Sequence, residues 1–273
     1  MGVRLVATDL DGTLLGPGDE PSTCGVWAMR AAASHGVTVV LATGRMLVSA
    51  EAVQRVLGVA GPIIAYNGGR VRLTDGTVWE EAIPLPVAQE IGQFCQQHGY
   101  LLQAYVGDDL VVPWEDQRTR AYSLHAGVPC YVDPGQVFTP EVAPTKLLLL
   151  VAEEQCAEVV EDFRERYGTV VDVARSMPEY VEINCAGVSK GRALQRVAEH
   201  LGVPLSEVLA IGDAENDLPM LRLAGIAAAP ANATSAAREL AKVTASRPYG
   251  DGVAEIIRHC VLRTEEKDGD RFV

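Results

Sequence analysis

Over the first third of the chain, short apolar runs alternate with helix-like stretches. Val3–Ala7, Val37–Ala42 and Ile63–Tyr66 are continuous apolar runs and predict strands. Thr23–His35 and Met46–Leu57 lie between them and predict helices, the second closed by Gly58. A βαβαβ order argues for a parallel sheet with helices on its faces. Strands buried on both faces read as unbroken apolar runs, as these do.

The middle of the chain has a different texture. Pro84-Leu85-Pro86 marks a boundary. Beyond it, Val87–His98, Asp116–His125 and Glu154–Tyr167 predict helices. Leu101–Val106, Thr145–Ala152, Thr169–Ala174 and Tyr180–Asn184 predict strands. The last third returns to the first pattern. Ser189–Leu201 predicts a helix with a serine cap and a stop at Gly202. Val208–Gly212 and Ile226–Ala229 predict strands, Leu218–Leu223 and Val253–Leu262 helices, and Arg263–Val273 a frayed tail. The expected fold is α/β: a discontinuous core, residues 1–82 and 186–273, interrupted by an inserted α/β cap, residues 83–185.

Composition narrows the function. The chain has 273 residues, 48% of them hydrophobic, which suffices for a sizeable core. Its longest strongly apolar stretch, Lys146–Ala152, is too short to span a bilayer. The N-terminus has no basic region, long apolar segment or cleavage site, so a cytoplasmic location is expected. Six scattered cysteines form no C-x-x-C pair and read as small hydrophobes in a reducing compartment. Five histidines show no zinc-ligand spacing. A formal net charge of -13 makes nucleic acid and anionic membranes poor partners. If the substrate is an anion, the site must supply positive charge locally.

Candidate chemistry collects at strand ends. Asp9 and Asp11 follow the first strand, Thr43-Gly44-Arg45 the second, Asn67 the third, and Asp213 the strand Val208–Gly212. In open parallel sheets that edge is where ligands bind. Lys190 adds a cation at a helix start, where backbone N–H groups also attract anions. Each feature has a plainer reading: Asp11-Gly12 as a turn, Thr43, Asn216 or Asp217 as helix caps, Lys190 as a surface lysine. Jointly these readings weaken, since a D-x-D-G-T string arises by chance on the order of once in several hundred chains of this length. Two adjacent carboxylates repel unless a cation intervenes. Mg²⁺ takes oxygen ligands and pairs with carboxylates plus phosphate oxygens, and Asp9 and Asp213 on neighbouring strands can meet at one ion. With phosphate bound, one carboxylate can attack phosphorus and the other can move the proton. Thr43 and Lys190 would hold phosphoryl oxygens.

At these residues the sequence resembles the haloacid dehalogenase-like hydrolase superfamily, specifically its Cof-type phosphatases. "DLDGTLL" (Asp9–Leu15), "ATGR" (Ala42–Arg45), "VSKGRAL" (Val188–Leu194) and "GDAENDLPML" (Gly212–Leu221) match its four motifs in order. "SRPYGDGVAEII" (Ser246–Ile257) resembles the usual C-terminal ending. The resemblance implies a Rossmann-like core and an inserted α/β cap. It implies Asp9 as nucleophile and Asp11 as general acid/base. Mg²⁺ would be held by Asp9, the Asp11 carbonyl and Asp213, with Asp217 in support. Phosphate would be held by the Leu10 backbone, Thr43, Gly44, Lys190 and Asn216. A second aspartate at position 11 favours phosphate-ester hydrolysis or phosphomutase chemistry over the superfamily's ATPases and dehalogenases. One departure is "AAAPANAT" (Ala227–Thr234), where many relatives carry Met before Asn-Ala; it lies beyond the motif residues.

The expected function is therefore a Mg²⁺-dependent phosphatase for a small phosphorylated metabolite, a sugar phosphate first, with a phosphomutase or a non-catalytic sensor as alternatives. Arg45 and Asn67 are candidate substrate contacts, although Arg45 reads equally as an ion-pair partner. Arg118, Arg120, Lys146, Tyr180 and Asn184 are candidate cap contacts, against a plainer reading as cap surface or cap core. The oligomeric state is not legible in the sequence.

Overall fold

A computed structural model describes residues 2–263 of the chain. Its strands, in chain order, are β1 (Leu5–Thr8), β2 (Thr38–Ala42), β3 (Ile63–Ala65), β4 (Arg70–Arg72), β5 (Val78–Glu80), β6 (Leu101–Val106) and β7 (Asp109–Val112). They continue with β8 (Cys130–Val132), β9 (Lys146–Leu150), β10 (Val171–Met177), β11 (Tyr180–Cys185), β12 (Val208–Ile211), β13 (Ile226–Ala229) and β14 (Val243–Thr244). They form two sheets among the described residues. The larger runs β14-β13-β12-β1-β2-β3-β4-β5, and the smaller β10-β11-β9-β6-β7-β8.

In the larger sheet, β14 through β3 are mutually parallel, and β4 and β5 extend the edge antiparallel. Val6, Leu41, Leu209 and Ile211 pack one face against the helices Thr23–Ser34, Leu47–Leu57 and Tyr249–Ile257. Leu5, Val40, Ile64 and Ala210 pack the other against Lys190–His200 and Leu218–Leu223. Burial on both faces accounts for the unbroken apolar runs. Ser22 and Ser189 cap two of these helices by accepting from the amides of Gly25 and Arg192. Gly58 ends the helix Leu47–Leu57 at φ 65°.

The smaller sheet is mainly antiparallel. One face, with Leu102, Leu147, Leu149, Val181 and Ile183, packs on the helices Leu85–His98 and Glu153–Tyr167. The other carries Tyr105, Lys146, Leu148, Tyr180 and Glu182 and belongs to the wall of a cavity between the two sheets. Tyr66, just after β3, meets Tyr105 edge-on at 5.8 Å, so the apolar core runs from one sheet to the other.

The α/β class and the Leu101–Val106, Leu218–Leu223 and Ile226–Ala229 elements stand as read from the sequence. Elsewhere the ends shift for local reasons. Val37 donates to Ala32 and completes the preceding helix turn, so β2 starts at Thr38. Tyr66 takes φ 50° and leaves β3. The β4–β5 hairpin, turning at Asp75-Gly76, is absent from the sequence reading because each strand is only three residues long. The final helix starts at Tyr249 after Pro248 rather than at Val253. Of the expected tail, residues 264–273 lie outside the described residues. All six cysteines are free thiols. Among the described residues no helix is long and apolar enough to cross a membrane.

Candidate active site

Four parallel strands end side by side, and their following loops converge. Asp9 continues the ladder beyond β1, its amide donating to Ile211 O at 2.9 Å. Asp213 stands two residues past β12. The chain then turns at Gly12, with φ 84°, where a Cβ would lie 2.4 Å from Asp213 Oδ2. Only glycine meets both the backbone and the space there. Thr13 Oγ1 donates to Asp213 Oδ1 at 2.7 Å and fixes that carboxylate.

Lys190 ties the acids together. Its Nζ lies 2.6 Å from Asp9 Oδ1 and 2.7 Å from Asp217 Oδ1. All three side chains are buried. The second Asp217 oxygen accepts from the amides of Asp213 and Ala214 at 2.9 and 3.1 Å. Asp217 thus braces the lysine against the Asp213 loop. Burial works against the Lys190 ammonium, but the charges of Asp9 and Asp217 outweigh it and hold its pKa above the ordinary lysine value. Burial raises the Asp9 pKa most; Lys190 opposes the rise, while Asp217 and Asp213 add to it.

Asp9, Asp213 and Asp217 each offer a carboxylate oxygen, all within 4.8 Å of one another. Three carboxylates face one lysine, so two negative charges stay uncompensated when all are ionised. An all-oxygen donor set with that excess fits a hard divalent cation. Magnesium is one such ion.

The remaining expected residues frame this cluster. Thr43, fully buried, accepts from the Arg45 amide at 3.1 Å through Oγ1, and its carbonyl accepts from the Asn67 amide at 2.9 Å. Gly44 follows it at the cavity wall, close to the Asn67 side chain. Asn216 Nδ2 donates to Asn67 Oδ1 at 3.0 Å. Leu10 is buried, and its carbonyl receives the amides of Thr13, Leu14 and Leu15. Asp11 pairs with Arg45 instead of Lys190. Arg45 Nε donates to its two oxygens at 3.0 and 2.9 Å, and Arg45 Nη2 bridges Asp11 to Asp19 at 2.7 Å. Arg45 makes the ion pair and also lines the cavity.

The cavity holds about 400 Å³ and is lined by Asp11, Asn67 and Asn216 from one side and Tyr105, Tyr122, Lys146, Tyr180 and Glu182 from the other. Arg118 and Arg120 are not among its lining residues. They are exposed and pair with Asp116 and Glu115 beside them. Asn184 lies two residues along β11 from Glu182, its Oδ1 buried without a partner. Sequence reasoning missed Thr13, Asp19, Glu182 and Asn232. Asn232 donates to the Gly12 carbonyl at 2.7 Å and accepts from the Tyr249 amide, so the departing "AAAPANAT" segment braces the first loop. The Thr of D-x-D-G-T was a signal for Thr13; nothing local marks the others.

Comparison with known proteins agrees with this geometry. The profile of the haloacid dehalogenase-like hydrolases matches residues 6–257. The chain belongs to that family. A phosphoglycolate phosphatase of Methanothermobacter thermautotrophicus is 29% identical over 94% of this chain and 98% of its own. The 5-amino-6-(5-phospho-D-ribitylamino)uracil phosphatase YcsE of Bacillus subtilis is 28% identical over 95% and 96%. The crystal structure of TM0651 from Thermotoga maritima is 32% identical and covers 97% of this chain and 98% of that one, with a TM-score of 0.89. Within its family the chain is a phosphatase.

Proposed function

We propose that this phosphatase is Mg²⁺-dependent and hydrolyses a small phosphorylated metabolite, a sugar or polyol phosphate, through an aspartyl-phosphate at Asp9. The observation that carries the reading is the placement of the Asp9 carboxylate. It is clamped by Lys190 and lies in the acidic cluster with Asp213, and its neighbours Asp11, Gly44 and Asn216 line a cavity large enough for a small ester. Relatives named for phosphoglycolate and for a phosphorylated ribityl compound support a small monoester.

Lys190 holds Asp9 Oδ1 and so fixes the carboxylate's orientation for attack on phosphorus. The P–O bond to the leaving group breaks as the Asp9 O–P bond forms. Asp11 donates a proton to the leaving oxygen, then takes one from the water that cleaves the acyl-phosphate. For that, Asp11 must part from Arg45. The Leu10 backbone, Thr43, Gly44, Lys190 and Asn216 would hold the phosphoryl oxygens. Asp9, Asp213 and the Asp11 carbonyl would hold Mg²⁺, which supplies charge neutralisation at the phosphoryl group. In this reading residues 1–82 and 186–273 are the catalytic domain, and residues 83–185 form the cap that reads the leaving group.

Phosphate release from a panel of sugar, polyol and carboxylated phosphate esters tests it, with Mg²⁺ and with EDTA, for wild type and Asp9→Asn. The expected result is turnover that needs Mg²⁺ and falls by about four orders of magnitude or more in the variant. Turnover that survives EDTA or the substitution would overturn the mechanism.

A further inference from the structure

Lys146 and Glu182 are the charged groups that the smaller sheet brings to the cavity wall. They come from adjacent strands, β9 and β11, and face each other at 3.3 Å. Lys146 is almost wholly buried, with its Nζ 4.4 Å from the centre of the Tyr105 ring. Burial opposes its charge, but Glu182 more than restores it, so the ammonium persists at neutral pH. On the opposite wall, Arg45 is engaged by Asp11 and Asp19. Each cation lining the cavity is thus matched by a carboxylate.

We infer that Glu182, by pairing with Lys146, sets the enzyme's selectivity against carboxylate-bearing leaving groups and for hydroxylated ones. The inference rests on the phosphatase reading above. A hydroxyl both donates and accepts, so one hydroxyl can accept from Lys146 and donate to Glu182. A carboxylate only accepts, gains one partner, and meets the repulsion of Glu182. Tyr105, Tyr122 and Tyr180 line the cavity beside the pair. By this argument the chain differs from its relative named for phosphoglycolate, whose leaving group carries a carboxylate.

A matched pair of substrates isolates the effect: glucitol 6-phosphate and 6-phosphogluconate differ in a terminal CH₂OH against a carboxylate. The readout is the ratio of their kcat/KM values within each protein, so a general loss of activity cancels. Wild type is expected to favour glucitol 6-phosphate by about tenfold or more. Glu182→Gln, which keeps the shape and removes the charge, should lower that ratio about tenfold. Lys146→Gln, which leaves Glu182 unopposed, should raise it. Shifts of opposite sign do not follow from merely loosening the sheet. A ratio unmoved by Glu182→Gln, or moved the same way by both variants, would overturn the inference. So would turnover of p-nitrophenyl phosphate with neither sugar ester hydrolysed, an outcome that leaves the phosphatase reading intact. No turnover of any ester would overturn both.

Discussion

On the larger sheet, Asp9, Thr43 and Asp213 stand one or two residues beyond the ends of parallel strands; on the smaller sheet, Tyr105, Lys146, Tyr180 and Glu182 stand inside antiparallel ones. The first group is fastened by its own loops. Asp213 is held by Thr13, Asp217 by two amides and Lys190, Asn67 by Asn216. The second group is assembled by strand register, each residue contributing one side chain from a backbone that would pair much the same with another residue there. A substitution at the strand ends disturbs several partners together. One on the smaller sheet disturbs its side-chain neighbours, as Lys146 would Glu182 and Tyr105, and leaves the strand pairing in place. Under the proposed function, the first wall would perform the chemistry and the second would read shape and charge, so the second could vary while the first stays fixed.

Among variants that test this contrast, the largest effect should come from Lys190→Met. It leaves Asp9 and Asp217 buried without their cation, and removing one member of such a buried cluster costs about 3–5 kcal/mol. Thermal melts in EDTA should show that loss, and kcat/KM should fall by about 10²-fold or more. A fall no larger than that of Lys146→Gln would erase the contrast between the walls. Gly12→Ala should come next. The added methyl meets Asp213 Oδ2 in a backbone conformation that alanine resists, so about 1–3 kcal/mol of stability is expected to go. The concentration of Mg²⁺ needed for half-maximal activity should rise as Asp213 is displaced. Unchanged Mg²⁺ dependence would remove Asp213 from the metal reading. Asp19→Asn should do least. Its side chain is exposed, Arg45 keeps Asp11, and such pairs are worth about 0.5 kcal/mol, so the activity change should stay within about twofold.

The same division explains what could be read from the chain. Asp9, Asp11, Thr43 and Asp213 sit in short local strings at strand ends, where a sharp turn dictates neighbouring residue types, and Lys190 in one at a helix start. The parallel strands were equally legible, since burial on both faces leaves unbroken runs such as Val208–Ile211. The cavity's other wall was not. "KLLLL" is buried throughout, so its alternation between Leu147 and Leu149 on one face and Lys146 and Leu148 on the other is hidden in the letters. Glu182 meets Lys146 only through the pairing of β9 with β11, and no spacing announces that register. Arg45's ion pair with Asp19 was not legible either, because it depends on the fold of the 16–20 loop. Asn232 braces Gly12 from 220 residues away, across the whole intervening unit.

That distance has a consequence during synthesis. β1, which ends just before Asp9, hydrogen-bonds to β12, and Thr13 reaches an aspartate 200 residues later. At about 5–20 residues per second the ribosome takes about 10–40 s to deliver the second half of the site. Through that interval the chain carries Asp9 without its lysine or its acidic neighbours. The intervening sheet, whose strands pair only with one another, is complete by Cys185 and can fold first. The smaller sheet can therefore be in place before the acidic cluster is complete, and no nascent fragment shorter than about 220 residues, the span needed to reach Asp217, is expected to hydrolyse anything.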